Sequence, residues 1–380
     1  MNLRDFQRTM PESGQHLATR PGWWSHTHLD AWMLLFLLML GGFGLFVLYS
    51  ASGQDVGYVS RQAIRMGAGL VVLIVLAQIN PRYLARWAPY MFAVSVLLLL
   101  AVLLVGVGAK GAQRWLALPG FRFQPAEITK LVLPLMIAWY LSSRPLPPRP
   151  LHIVVSLVLL GVPSVMIMKQ PDLGTSLLIA ASGIFVLLLS GILWRYVFVA
   201  MVAAGAALPG LWMVMKDYQR QRVLTFLDPE SDPLGSGWNI IQSKTAIGSG
   251  GIWGKGYMAG TQSQLDFLPE SHTDFIIAVI AEELGLVGVL ILLFLYLLVI
   301  GRGLLMASRA PDSFGRLVAG SLILTFFVYV FVNIGMVSGL LPVVGVPLPL
   351  ISYGGTSIVT LMAGFGIMMS VHTHRQMLRR

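Results

Sequence analysis

Acidic side chains stand where polar sequence gives way to apolar sequence, and such acids could transfer protons. A polar, glycine-rich stretch covers residues 216–271, and Asp274 follows it just before the chain turns apolar again. A carboxylate held beside a hydroxyl can act as a general base. A structural role is the alternative, because an acid in a first helical turn complements the helix dipole. A metal site from His272 and nearby carboxylates is a third interpretation.

Two more acids and a lysine stand at predicted helix starts. The sequence around Glu127 places a proline and an early acid at a helix N-terminus, and the i,i+3 spacing lets Glu127 pair with Lys130. A structural ion pair and a substrate contact are both open for this pair. Asp172 opens another apolar run, where helix capping and substrate binding are the two alternatives.

Basic residues are frequent in the segments that we predict to lie outside the membrane. Long loops escape the positive-inside rule, but three cations in one short loop run against it. Such cations indicate an anionic ligand such as a phosphate or pyrophosphate, with anionic lipid head groups or the loops' own acids as alternatives. Our candidate substrate-binding cations are Lys110, Arg114, Lys130, Arg222 and Lys244.

The composition excludes an ordinary soluble domain. Of 380 residues, 56% are hydrophobic and only 11% are charged, and apolar runs of about 20 residues recur. The chain holds no cysteine, so no disulfide is expected in any loop. We expect no cleavable signal peptide, because the first residues are polar. The net charge of +10 is explained by membrane topology, and no nucleic-acid motif is present.

We therefore predict an all-α, polytopic integral membrane protein with about ten transmembrane helices. Arginines in alternate loops place both termini in the cytoplasm. Residues 1–28 and 373–380 are then cytoplasmic tails around a membrane domain at 29–372, and residues 216–271 form a large extracytoplasmic loop between the seventh and eighth spans. The predicted spans are 29–50, 61–79, 83–106, 126–142, 151–168, 174–190, 193–214, 273–300, 317–339 and 353–372.

The eighth span and the last outer loop are predicted to shape the site. A continuous helix over 273–300 would be about 42 Å long and would place Asp274, Ala278, Ala281 and Gly285 on one face. Glu282 and Glu283 lie deeper in this helix and need partners, which the basic loops could supply. The proline-rich and glycine-rich segment 333–357 cannot form regular helix, so we expect it to wall an outer cavity.

Three segments carry a resemblance to a known family. The pattern NxxxxxGLLPxxGxPLPxxSYGG at Asn333–Gly355 is highly specific, and so are the segments Leu227–Gly256 and Leu265–Gly285. With its ten predicted spans and large outer loop, the chain resembles the RodA/FtsW family, the SEDS proteins, and it resembles the RodA branch more than the FtsW branch. The resemblance covers all but about the first 25 residues.

The resemblance implies a peptidoglycan glycosyltransferase in the bacterial inner membrane, with its active site facing the periplasm. Such enzymes polymerise lipid II into glycan strands during cell elongation and release undecaprenyl pyrophosphate. The implied partners are a class B penicillin-binding protein, the elongation machinery and membrane lipid. The family's essential acid matches Asp274, its Glu–Lys pair matches Glu127 and Lys130, and a further acid matches Asp172.

A mechanism follows as a hypothesis. Asp274 is the general base, and the basic residues stabilise the departing pyrophosphate. No cofactor is certain, but a divalent cation, Mg or Mn, could share that role. The alternatives are a lipid II flippase, a noncatalytic scaffold for the penicillin-binding protein, and a transporter of another substrate, which the absence of internal repeats disfavours.

Overall fold

The computed structural model describes residues 27–109, 112–118, 121–215, 217–231, 236–264 and 271–374. Each predicted span corresponds to a helix, which confirms the helical membrane fold. Within the described residues, seven of the helices are long and apolar enough to cross a membrane. The helices that match the spans are α1 (Ala31–Ala51), α2 (Val56–Gln78), α3 (Pro81–Val105), α4 (Pro125–Ser142), α5 (Pro150–Lys169), α6 (Leu173–Leu189), α7 (Trp194–Val214), α11 (Ile276–Ser308), α12 (Ser313–Val337) and α13 (Thr356–Thr373).

Local sequence sets the helix starts that were predicted. Helix α4 begins at Pro125, whose missing N–H costs nothing in a first turn. Helix α6 is capped by Asp172, whose carboxylate accepts a hydrogen bond from Thr175 N at 3.2 Å. Asp30 caps α1 in the same way through Met33 N at 2.8 Å.

The bundle is centred on α12. This helix contacts α4, α6, α11 and α13, and most of it is buried within the protein. Its polar groups are used inside the bundle: Ser321 Oγ donates to Ser182 O of α6 at 2.7 Å. Helices α2 and α3 instead expose most of their surface, as expected of helices that face lipid.

The short outer loop after α3 is folded rather than irregular. It contains three antiparallel strands, β1 (Val107–Ala109), β2 (Ala112–Leu118) and β3 (Phe121–Phe123). In β2 and β3, Leu116 pairs with Phe123. This small sheet is an addition to the otherwise helical fold, and β2 carries Arg114 towards the bundle.

The large insert is mostly helical in its described parts. It contains α8 (Asp217–Leu227), one 3₁₀ turn (Pro229–Ser231), α9 (Ser236–Gly250) and α10 (Thr261–Gln264). Helix α9 packs against α11, and its Ser243 Oγ donates to Val337 O of α12 at 2.9 Å.

The expectation of one continuous helix over 273–300 is wrong in two respects. Helix α11 begins only at Ile276, so Asp274 lies in the preceding turn rather than in the first helical turn. The helix is also broken at Gly285, where φ is 65° and ψ is −161°. The common face predicted for Asp274 and Gly285 therefore does not exist, and the helix-dipole account of Asp274 loses its basis.

Candidate active site

The turn that carries Asp274 is held by backbone contacts to the signature segment of the last outer loop. Three hydrogen bonds do this: Asn333 Nδ2 to Asp274 O at 2.8 Å, Ser352 Oγ to Thr273 O at 2.5 Å and Tyr353 N to His272 O at 2.9 Å. Asn333 Nδ2 also donates to Val346 O at 2.8 Å. The fully buried Asn333 amide thus joins α12, the Asp274 turn and the last loop. This network fixes the backbone of Asp274.

A cavity of about 190 Å³ lies beside this turn. The last outer loop forms one of its walls, as predicted, through Gly345–Pro347 and Gly355–Ser357. Asp274 stands at its edge, because the carboxylate Oδ2 is 3.5 Å from the place that a Cβ would take on Gly345. The charged residues that line the cavity are Arg114, Glu127, Lys130 and Asp172.

Glu127 and Lys130 form an ion pair in the cavity wall. Lys130 Nζ lies 2.7 Å from Glu127 Oε1, and both side chains are buried. The ammonium also lies 5.1 Å from the ring centroid of Tyr329, within cation–π range. The structural pairing left open by the sequence is therefore present, and both partners still face the cavity.

Arg114 and Asp172 form a second, looser pair. Arg114 Nε lies 3.6 Å from Asp172 Oδ2, and another guanidinium nitrogen donates to Pro171 O at 2.5 Å. Gln124 Nε2 lies 3.4 Å from the same carboxylate oxygen. Asp172 is thus both the helix cap and a site residue. A third of the Arg114 side chain is exposed. Some of the five N–H groups of its guanidinium can therefore donate hydrogen bonds to a ligand.

Among the described residues that line the cavity, each cation faces an acid: Arg114 lies beside Asp172, and Lys130 lies beside Glu127. An anion in the cavity could accept charge-assisted hydrogen bonds from Arg114 and Lys130.

Not every predicted residue is brought to this cavity. Lys244 lies on the exposed side of α9, and its side chain packs over Gly339. Arg222 is half-buried on α8 and does not line the cavity. Lys110 is outside the described residues. The substrate roles of these three residues stay predictions.

The other acids and His272 have partners of their own. Glu282 Oε1 forms an ion pair with Lys255 Nζ at 2.7 Å, so the expected basic partner from the large loop is present. Glu283 accepts from Ser50 Oγ at 2.7 Å. His272 packs edge-on against Tyr58, with ring centroids 5.2 Å apart. Among the described residues, no group of three His, Asp or Glu side chains could hold a metal ion.

Comparison with known proteins identifies the family and supports the fold. The model of a family described as FtsW/RodA/SpoVE, cell cycle protein, matches residues 30–377. The chain belongs to this family. The predicted resemblance is thereby confirmed over nearly the whole chain.

Relatives within the family share most of the sequence. The chain is 58% identical to "Peptidoglycan glycosyltransferase MrdB" of Escherichia coli K12 over 94% of this chain and 97% of that protein. It is 38% identical to "Probable peptidoglycan glycosyltransferase FtsW" of Trichlorobacter lovleyi over 90% of this chain and 92% of the relative.

Solved structures show the same fold. One is described as "Structural coordination of polymerization and crosslinking by a peptidoglycan synthase complex" and has a TM-score of 0.81 at 33% identity, with 91% of this chain and 99% of that chain covered. Thermus thermophilus RodA has a TM-score of 0.69 at 29% identity, with 91% and 98% covered.

Sequence reasoning did not single out three polar residues that contact the Asp274 turn or the aromatic residues beside it. Asn333 was seen only as part of a loop motif, although it lies within α12 and holds the Asp274 turn. Arg61 and Arg65 near the outer end of α2 stack on Tyr58 and Tyr353, with guanidinium carbons 4.9 and 4.7 Å from the ring centroids. Two arginines about one turn apart in a predicted span were the available signal.

Proposed function

We propose that the chain polymerises lipid II into glycan strands and releases undecaprenyl pyrophosphate, as an enzyme of cell elongation and rod shape. The chain is a peptidoglycan glycosyltransferase, as its relatives at 58% and 38% identity are named. The observation that carries the mechanism is the Asp274 turn, which is pinned to the last outer loop at the edge of a charged cavity.

Asp274 acts as the general base. The acceptor's sugar hydroxyl attacks the anomeric carbon of the donor, and its proton passes to the Asp274 carboxylate. A new glycosidic C–O bond forms while the bond between the anomeric carbon and the pyrophosphate oxygen breaks. The pinned backbone supports this role because a base must be held at a fixed distance from the proton that it takes.

Arg114 and Lys130 receive the negative charge of the leaving group. Both line the cavity beside Asp274, and both already form ion pairs with acids. Glu127 and Asp172 therefore hold the cations in place before the pyrophosphate arrives. Preorganised charge of this kind stabilises a transition state without a cost of reorganisation.

A divalent cation, Mg or Mn, stays a proposal. The described residues offer no cluster of three ligands for a metal. No step proposed for the protein's own residues depends on such a cation.

The proposal includes a partner protein and an orientation of the chain in the membrane. The structural neighbour of TM-score 0.81 belongs to a complex that couples polymerization and crosslinking, which supports a class B penicillin-binding protein as partner. The apolar helices support a multi-pass protein of the inner membrane. We place both termini in the cytoplasm and the Asp274 cavity on the periplasmic side, in agreement with the arginines of the alternate loops.

Polymerisation of purified lipid II in liposomes tests the function. Wild type, Asp274→Asn and Asp274→Ala are each combined with a class B partner whose transpeptidase serine is disabled. We expect long glycans from wild type and a loss of about 10²–10⁴-fold in both variants. Asp217→Asn, the same change at an exposed acid of α8, is the matched control and should polymerise as wild type does.

The other outcomes separate the alternatives. Activity of Asp274→Asn above about 10% of wild type would remove Asp274 as the base, since a base contributes at least about 10²-fold. No glycan from any intact complex would overturn the enzyme in favour of a flippase or a scaffold. A flipping assay without acceptor chemistry then distinguishes those two.

A further inference from the structure

The glycine-rich loop before α10 fills the break in α11. At Gly285 the helix loses its own hydrogen-bond pattern, and the loop supplies replacements. Four backbone hydrogen bonds join them: Lys255 N to Glu282 O at 2.9 Å, Gly256 N to Glu283 O at 3.0 Å, Leu286 N to Gly251 O at 3.0 Å and Val287 N to Ile252 O at 3.2 Å. The contact is backbone to backbone, because a Cβ on Gly254 would lie 2.1 Å from Glu283 O.

Helices α1 and α11 provide a measure of depth in the membrane. They run antiparallel and are joined at both ends. Arg302 Nε donates to Asp30 Oδ1 at 3.0 Å at the inner end, and Ser50 Oγ donates to Glu283 Oε1 at 2.7 Å at the outer end. The segment from Asp30 to Ser50 is about 30 Å long at 1.5 Å per residue, which is the thickness of the hydrocarbon core. Ser50 and Glu283 therefore mark its outer boundary.

The loop lies below this boundary on both helices. Ile252 O accepts a hydrogen bond from Val287 N, which lies beyond the break at Gly285 and therefore further along α11 than Glu283. Tyr257 Oη donates to Phe46 O at 2.8 Å, and the two rings stack at 4.2 Å. Phe46 is about 6 Å inside Ser50. The loop therefore enters the outer edge of the hydrocarbon core and returns to the surface.

The side chains at the tip of the loop are apolar and uncovered. Ile252 is 61% exposed and Trp253 is 80% exposed. They continue the outward surface of α11, where Leu286 and Leu290 are 51% and 54% exposed. Tryptophan is enriched at the membrane–water interface. Unpaired backbone groups are costly at that depth, and the bonds to α11 pair four of the loop's groups: Gly251 O, Ile252 O, Lys255 N and Gly256 N.

We propose that Gly251–Gly256 is a re-entrant wedge in the outer leaflet, with Ile252 and Trp253 in contact with phospholipid at the level of the head groups and upper acyl chains. The wedge explains why a polar loop carries two large apolar residues among glycines. It also explains why α11 is broken at this depth, since the break admits the loop backbone.

Site-directed fluorescence tests the wedge. Because the chain holds no cysteine, Ile252→Cys and Trp253→Cys can each be labelled at one site with bimane in the full chain. The labelled protein is placed in phosphatidylethanolamine–phosphatidylglycerol liposomes. Quenching is measured with aqueous iodide and with lipids that carry a nitroxide near the top of the acyl chain. Gln54→Cys, beyond the outer end of α1, is the water control, and Leu290→Cys is the lipid control.

We expect the nitroxide lipid to quench both loop labels several-fold more than the label at residue 54, with iodide showing the reverse order. Iodide quenching equal to that at residue 54 would overturn the proposal and make the loop aqueous. Protection from both quenchers would also overturn it, because protein would then cover the tip. Two neighbouring labels keep the test valid if one variant fails to fold, which size-exclusion chromatography detects.

Discussion

Two clusters of ion pairs lie at opposite ends of the bundle and differ in what surrounds them. At the outer end, Glu127 pairs with Lys130 in the wall of a cavity of about 190 Å³. At the inner end, Asp30 pairs with Arg302 and lies 3.9 Å from His372, between the ends of three helices. The chemistry of the groups is nearly the same. The difference is the neighbouring cavity: the Glu127–Lys130 pair lines one, whereas the Asp30–Arg302 pair, the inner clamp, joins helix ends.

The surroundings of the two clusters also differ in backbone. The outer cluster lies beside a turn and a loop that long-range hydrogen bonds hold in place. The inner cluster is built from a helix cap and regular helices. The proposed active site thus lies where irregular backbone is fixed by other parts of the chain, and the inner cluster lies where helix ends are joined.

The largest effect is expected from breaking the outer pair. Lys130→Met leaves the Glu127 carboxylate buried and unpaired, which should lower the free energy of unfolding by about 3–5 kcal/mol and abolish polymerisation. The double variant Glu127→Gln/Lys130→Met removes both charges and should regain most of the stability. It should stay inactive. Thermal unfolding in detergent and lipid II polymerisation measure the two quantities; recovery of activity in the double variant would make the pair purely structural.

The next effect concerns the helix break. Gly285→Ala places a side chain at φ 65°, with its Cβ 2.3 Å from Gly254 N. The strain alone should cost at least about 1–3 kcal/mol, and the clash should expel the loop. Hydrogen exchange of residues 251–256 should rise. Gly301→Ala, on the same helix with open space around it, is the control and should change neither quantity.

A change at the inner clamp should separate stability from activity. Arg302→Met removes two hydrogen bonds to Asp30 and should lower the free energy of unfolding by about 1.5–3 kcal/mol. Asp30 keeps its bond from Met33 N, so the loss is smaller than at the outer pair. The polymerisation rate per folded molecule should stay near wild type. A lost rate at full folding would mean that the inner clamp is coupled to the cavity.

Hydropathy and capping residues predicted the helices and most of the charged site. The starts of α4 and α6 followed from Pro125 and Asp172, because capping is a local property. The break at Gly285 could not be predicted, since the loop that stabilises it comes about 30 residues earlier in the chain. The place of Asp274 outside α11 likewise depends on Asn333 and Ser352, which are distant in sequence.

The smallest effect is expected at a cation that the sequence placed in the site. Lys244 lies over Gly339 on the exposed side of α9, away from the lining of the cavity. Lys244→Met should therefore leave stability within about 0.5 kcal/mol and polymerisation within about two-fold of wild type. Arg114→Met, which removes a cation of the cavity, should lower polymerisation far more. An equal loss of polymerisation in both variants would mean that the anion site extends along α9. A position in the cavity wall would then no longer distinguish the cations that act in polymerisation from those that do not.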